Sequence, residues 1–257
     1  MNTRPRSHAQ PCDARELLEL RTRYRAEMNC QIVHDSIHRR EGWTNSYLLT
    51  LDGIAAGFGS IAIGGPWIEK PVLFEFYLLP PYRTRVFDLF ETLIAISGAR
   101  HFEIQSSDVL LLAMVHAFGQ EIVSERIVFR DHAATHLLSN GATMRCVTPV
   151  EEIQHAIEHR QGGGEWVLEK EGVTAGKGGI LFHYNRPYGD IYMEISEGFR
   201  QQGYGAYLVQ ELKRVCYELG AIPGARCKRN NIASRRTLQR AGFIPCAHIL
   251  VGTISSA

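Results

Sequence analysis

Between Ile195 and Ala206 the chain reads Ile-Ser-Glu-Gly-Phe-Arg-Gln-Gln-Gly-Tyr-Gly-Ala. A strand-like stretch, Asp190 to Ser196, precedes it, and a helical one, Ala206 to Leu219, follows. Two glycines one residue apart allow a tight turn and a close approach of the backbone to a ligand. The turn opens a helix whose first amides lack an intrahelical partner and whose dipole is positive at that end. Such a strand–turn–helix junction belongs to α/β chains and makes a ready cradle for a pyrophosphate. It is not a dinucleotide fingerprint, because Leu208 stands where a third glycine is needed, and no Gly-Lys-Ser/Thr follows as in a P-loop. Taken alone, the segment also reads as an ordinary strand-to-helix loop.

The charge distribution points to the same end of the chain. Over all 257 residues, 28 basic side chains nearly balance 27 acidic ones. From Arg200 onward, however, nine Lys and Arg face only two acids. Pro149 to Phe199 is the opposite, with four basic and nine acidic residues. A local anionic ligand fits this split better than a nucleic acid, which would call for a basic chain with interleaved aromatics.

Two rounds of similar elements are legible. In the first half, helical patterns run from Ala14 to Glu27, Val86 to Ser97 and Asp108 to Phe118, with a short one at Ile32 to His38. Strand patterns cover Tyr47 to Leu51, Ala56 to Ile63, Val72 to Leu79, Phe102 to Gln105 and Ile122 to Phe129, with Asp52-Gly53 as a hairpin turn. In the second half, strands at Trp166 to Leu168, Ala175 to Tyr184 and Asp190 to Ser196 lead into the glycine turn. A strand at Ala225 to Cys227, a helix from Asn231 to Gly242 and a closing strand, Phe243 to Val251, follow. Pro80 and Gly98 lie 18 positions apart, as do Gln202 and Gly220, and each closing glycine precedes an alanine and a short strand. We read a mixed α/β (α+β) chain with a loose tail at 1–12 and two copies of one fold at 13–148 and 149–257.

Arg200-Gln201-Gln202-Gly203-Tyr204-Gly205 resembles the acetyl-CoA signature of the GNAT superfamily of N-acetyltransferases, Gln/Arg-x-x-Gly-x-Gly/Ala. Asn231-Ile232-Ala233-Ser234, with Leu238 and Gly242-Phe243 behind it, resembles the second block of that superfamily. The resemblance covers Trp166 to Val251 and rests on element order alone from Ala14 to Asp131. It implies two tandem GNAT-like domains, each a mostly antiparallel sheet flanked by helices, with two strands splayed around a pantetheine arm. The main chain of Ile195 would pair with that arm. Arg200, Gln201, Gln202, Gly203, Tyr204, Gly205 and Ala206 would hold the pyrophosphate, and Asn231 and Ser234 would complete the cofactor site. Arg226, Lys228, Arg229, Arg235, Arg236 and Arg240 are expected beside that groove. In the first half the corresponding turn, Leu79-Pro80-Pro81-Tyr82-Arg83-Thr84-Arg85, has no glycine, and its prolines have no N–H. That copy is expected to serve as scaffold.

The resemblance implies transfer of acetyl from acetyl-CoA to a primary amine by direct attack, with a base near the thioester. Strand alternation puts Asp190, Tyr192 and Glu194 on one face, so Glu194 is the first candidate base and Asp190 the second. Glu75, on an otherwise apolar strand, is a third, or else a hydrogen-bonded core acid. The acid of the family pattern falls on Leu238, which leaves Tyr184, Tyr192 or His183 as substitutes. A silent acetyl-CoA-binding module is the alternative function. The family ends with two strands where this chain has room for one, so the first copy is expected to lend a strand, Ala142 to Val147.

Other classes find little support. The longest apolar run, Val109 to Val115, is far short of the roughly 18 residues of a membrane span. The polar stretch Met1 to Gln10 is no secretory signal. Six cysteines without a C-x-x-C pair fit reduced thiols in a cytoplasm. His34/His38 and His132/His136 lack further ligands at metal spacing, and Cys246 lacks an activating base. No metal is expected, and the protein is expected as a monomer or homodimer.

Overall fold

The structure, a computed structural model, describes residues 6–255. The chain forms β1 (Ser7–Cys12), α1 (Leu18–Met28), β2 (Thr44–Leu51), β3 (Ile54–Ala62), β4 (Val72–Leu78), α2 (Val86–Ser97), β5 (His101–Gln105), α3 (Val109–Phe118) and β6 (Gly119–Asp131). There follow β7 (Ala142–Cys146), α4 (Val150–His159), β8 (Gly163–Lys170), β9 (Val173–Leu181), β10 (Tyr188–Ile195), α5 (Tyr204–Glu218), β11 (Ile222–Lys228), α6 (Ile232–Arg240) and β12 (Phe243–Ile254). Of the expected tail, residues 1–5 lie outside the described residues. Ser7–Cys12 forms β1, antiparallel to β2, because the neighbouring strand offers a full backbone ladder to a stretch with no apolar pattern of its own.

The chain divides into two compact units, at other points than 13–148 and 149–257. The first comprises the residues up to Asn29, Ile37–Glu125 and those from His248 on. The second comprises Cys30–Ser36 and Arg126–Ala247. Strand β6 thus begins in the first unit and ends in the second, and β12 runs the other way. Each unit is a mixed, mostly antiparallel sheet flanked by helices, ordered β1-β2-β3-β4-β5-β12 in the first and β6-β11-β10-β9-β8-β7 in the second. The strand beside β11 is therefore β6, paired from Arg126↔Lys228 to Arg130↔Gly224. Ala142–Cys146, expected as a strand lent by the first copy, is the opening strand of the second unit itself, antiparallel to β8.

In the first unit Asp52 and Gly53 have φ of 50° and 81°, the pair of left-handed residues that a two-residue hairpin between β2 and β3 requires. Phe76 of β4 meets Phe90 of α2 edge to face at 5.1 Å, and Leu49, Leu89, Leu93 and Ile104 close the core around them. In the second unit α5 lies on β9 and β10, and α4 on β8. Trp166, Ile180, Phe182, Leu208 and Leu212 are buried between these layers, each large side chain contributing about 1.5–3 kcal/mol by leaving water. Segment Cys30–Ser36 is held there by polar contacts. Asn185 accepts from the Ile32 amide at 2.6 Å and donates to the Cys30 carbonyl at 3.1 Å, while Gln31 donates to the Phe129 carbonyl at 2.8 Å.

Glu75 belongs to the core of the first unit. It is 1% exposed, with His38 Nε2 at 2.8 Å and Arg21 at 3.7 Å. Burial, the largest influence, pushes its carboxyl up, but His38 and Arg21 outweigh it and hold the group at about 2. Its ionised form is preferred in the folded state, so its contribution to stability is complete above the unfolded value of about 4.3. Acid titration of unfolding should show that contribution lost between about pH 4.3 and pH 2. Glu75→Leu, which removes the buried carboxylate that faces His38 and Arg21, should cost about 3–5 kcal/mol in urea unfolding.

Candidate active site

Strand β10 runs parallel to β11, but the pairing covers only Tyr188↔Ile222 to Ile191↔Ala225. Beyond Ile191, β10 continues to Ile195 on β9 alone, while β11 continues on β6. The two strands therefore diverge and open a cleft of about 400 Å³. Met193, Glu194 and Ile195 line one wall, the glycine turn closes one end, and Asn231, Ser234, Arg236 and Arg240 of the α6 region face them.

The turn is built as its glycines demand. Gln201 and Gly203 both take left-handed conformations, with φ of 61° and 91°. A side chain at Gly203 would be strained in that conformation and would point to within 3.9 Å of an Arg240 guanidinium nitrogen. The first α-helical bond of α5 runs from the Tyr207 amide to the Gly203 carbonyl at 3.1 Å. The amides of Tyr204, Gly205 and Ala206 therefore have no partner within the helix, and the positive end of its dipole faces the turn. Arg200, Arg236 and Arg240 add three exposed cations to the cleft.

Most of the expected cofactor residues meet at this cleft: Ile195, Arg200, Gln201, Gly203, Gly205, Ala206, Asn231 and Ser234 all line it. Gln202 and Tyr204 do not have side chains there. Gln202 donates to the Gly198 carbonyl at 2.9 Å, and Tyr204 is buried with its ring edge-on to Phe199. The Ile195 carbonyl, expected to be open to a ligand, accepts from Arg200 Nε at 3.1 Å. Asn231 caps α6, its Oδ1 accepting from the Ser234 amide at 2.9 Å, which leaves its NH₂ as the remaining donor. Of the basic residues expected along the groove, Arg236 and Arg240 line it, whereas Arg226 ion-pairs with Asp190 at 3.3 Å.

The three catalytic candidates separate. Glu194 is exposed and lies on the cleft wall. Asp190 is 4% exposed, at the still-paired part of β10, with His183 Nε2 at 2.9 Å on the same oxygen that takes Arg226. Tyr184 is fully buried beside His183, and burial, aided by Asp190, pushes its hydroxyl well above the ordinary range. Tyr192 donates to Glu165 at 3.3 Å. Leu238 is buried in the core of the unit, so no acid stands at its position. Sequence reasoning did not pair Asp190 with Arg226 and His183, because they come from three strands or strand ends and share no spacing.

Replacing the α6 cap separates its two roles. Asn231→Ala should lower stability by about 1 kcal/mol in urea unfolding. Asn231→Asp, an equally good cap, should leave stability unchanged within a few tenths of a kcal/mol.

No helix among the described residues is long and apolar enough to cross a membrane. No curated protein matches the sequence. Residues 133–243 match the model of the acetyltransferase (GNAT) family. Among solved structures, a GNAT-family acetyltransferase from Colwellia psychrerythraea is similar at 14% identity and a TM-score of 0.69, covering 96% of this chain and 99% of that one. A GCN5-related N-acetyltransferase from Sphaerobacter thermophilus is similar at 14% identity and a TM-score of 0.61, covering 98% and 96%. A tandem GNAT protein from the clavulanic acid biosynthesis pathway matches at 12% identity and a TM-score of 0.59, covering 98% and 99%. At such identities these likenesses concern the fold, and they extend over both units. The chain carries, over residues 133–243, a domain of the acetyltransferase (GNAT) family.

Proposed function

We propose that the second unit binds acetyl-CoA in the cleft between β10 and α6 and transfers the acetyl group to a primary amine. The observation that carries this reading is the combination of diverging strands, open α5 amides and three arginines around one cleft. A pyrophosphate at the turn would meet donors and positive charge together, and an extended arm would fit beside the stretch of β10 that β11 leaves. The remaining donor of Asn231 faces that arm in this reading.

The amine nitrogen attacks the thioester carbonyl, the C–N bond forms, the C–S bond breaks, and coenzyme A leaves as its thiolate. The amine proton goes to Glu194, the carboxylate on the cleft wall, directly or through one water. Asp190 and Tyr184 act beneath it as a buried support held by Arg226 and His183. The thiolate takes its proton from solvent, since Leu238 offers none.

Calorimetric titration of acetyl-CoA followed by thiol-release assays over a panel of amines tests this. Gly203→Asp, which puts a strained backbone and a carboxylate into the cradle, should weaken acetyl-CoA binding at least about hundredfold. Glu194→Gln should keep that affinity and lower kcat by about 10²–10⁴. Binding without turnover on any amine would replace transfer by the silent module. Binding indifferent to Gly203→Asp would remove the cofactor site itself.

A further inference from the structure

The first unit repeats the framework of the cleft with different chemistry. Strand β4 pairs with β5 only at Val72↔His101 and Leu73↔Phe102, then runs on to Leu78 along β3. Arg83 Nε donates to the Leu78 carbonyl five residues back, at 3.1 Å, as Arg200 does to Ile195. Asp108 caps α3 through the Leu111 amide, as Asn231 caps α6. These two matches set the register between the copies, in place of the count that laid Pro80 on Gln202. Between them lies a cleft of about 350 Å³ within the first unit.

Three replacements decide what this cleft can hold. In that register Val86 and Asp88 stand where the second unit has Gly203 and Gly205, so the turn lacks the glycines that let helix amides approach a ligand closely. Both carboxylate oxygens of Glu27 lie 2.6 Å from the Arg83 guanidinium, so that cation is already matched, and Tyr77 donates to the same group at 3.1 Å. Where the second unit has the amide of Asn231, this one has the carboxylate of Asp108, which is 4% exposed. The charges on the cleft are thus two carboxylates and one guanidinium, against one carboxylate and three guanidinium groups in the second unit. A polyphosphate is repelled. Apart from Ser107, the rest of the wall is apolar or aromatic, chiefly Tyr24, Met28, Tyr77 and Leu110.

We propose that the cleft of the first unit binds a small organic cation, an amine with an apolar body, with Asp108 as its counter-charge. Asp108 accepts from the Leu111 amide at 3.0 Å and the Tyr24 hydroxyl at 3.0 Å, which uses about two of the roughly four lone-pair sites of a carboxylate. An ammonium fits the sites left over, and the aromatic wall already holds one cation, the Arg83 guanidinium 5.8 Å from the centre of the Tyr77 ring. Burial, the largest influence, together with the Glu75 and Glu27 carboxylates, pushes the Asp108 carboxyl up to about 6.

Calorimetric titration of the full chain with benzylamine, with benzyl alcohol as its neutral counterpart, tests the assignment. Benzylamine should bind, benzyl alcohol should bind at least about tenfold more weakly, and Asp108→Asn should weaken benzylamine by a similar factor. Asn caps as well as Asp does, so the variant keeps α3 and should leave acetyl-CoA affinity unchanged. If its thermal midpoint nevertheless falls, Glu27→Gln at the cleft rim supplies the second reading, with the same expected weakening. Equal benzylamine binding by wild type and both variants, no benzylamine binding at all, or equal affinity for the alcohol would overturn the proposal. Because the probe and the acetyl-CoA titration are read separately, failure here leaves the acetyl-transfer reading standing, and the reverse also holds.

Discussion

The parallel ladder between β10 and β11 stops at Ile191 and Ala225, and the rest of the second unit is arranged around the gap that this leaves. Two diverging strands expose backbone groups that must find partners elsewhere. Arg200 supplies one of them by folding back onto the Ile195 carbonyl. At the turn, positive φ at Gln201 and Gly203 brings three amides of α5 that lack an intrahelical partner to the mouth of the same gap. Asn231 and the arginines of α6 then form the far wall. Each of these features is common alone. Together they line one cleft with amide donors and positive charge, the chemistry on which the proposed acetyl-CoA site rests.

The two units show how little of such a site the fold itself determines. Both splay a parallel strand pair, both fold an arginine back by five residues, and both cap the following helix with a short polar side chain. The differences are a handful of residues. Val86 and Asp88 stand where the second unit has Gly203 and Gly205, Glu27 satisfies Arg83, and a carboxylate replaces an amide at the cap. Those substitutions change sign and donor count without disturbing the layers beneath. The same framework therefore carries two clefts of different charge and donor content.

What could be read from the sequence was local. The hairpin at Asp52-Gly53, the end of α2 at Gly98, the helices beginning at Asp108 and Asn231 and the glycine turn each depend on residues within a few positions of one another. The features that sequence reasoning missed depend on distant partners. Nothing in the pattern of Ile122 to Phe129 shows that β6 passes from one unit to the next, or that β12 does so in the opposite direction. Segment Cys30–Ser36 joins the second unit through Asn185, 153 positions away from Ile32. The ion pair of Asp190 with Arg226 was hidden in the same way, and it removes one arginine from the expected groove. Counting between glycines misaligned the two copies because α2 and α5 differ in length, at 12 and 15 residues.

The central claim is that one cleft, in the second unit, is equipped for acetyl-CoA and its counterpart in the first is not. The stoichiometry of acetyl-CoA binding to the full chain tests it most directly, measured calorimetrically with protein concentration well above Kd. One equivalent per chain is expected, retained in Arg83→Ala and lost in Arg236→Ala combined with Arg240→Ala. Two equivalents, or a single one that disappears with Arg83→Ala, would contradict it.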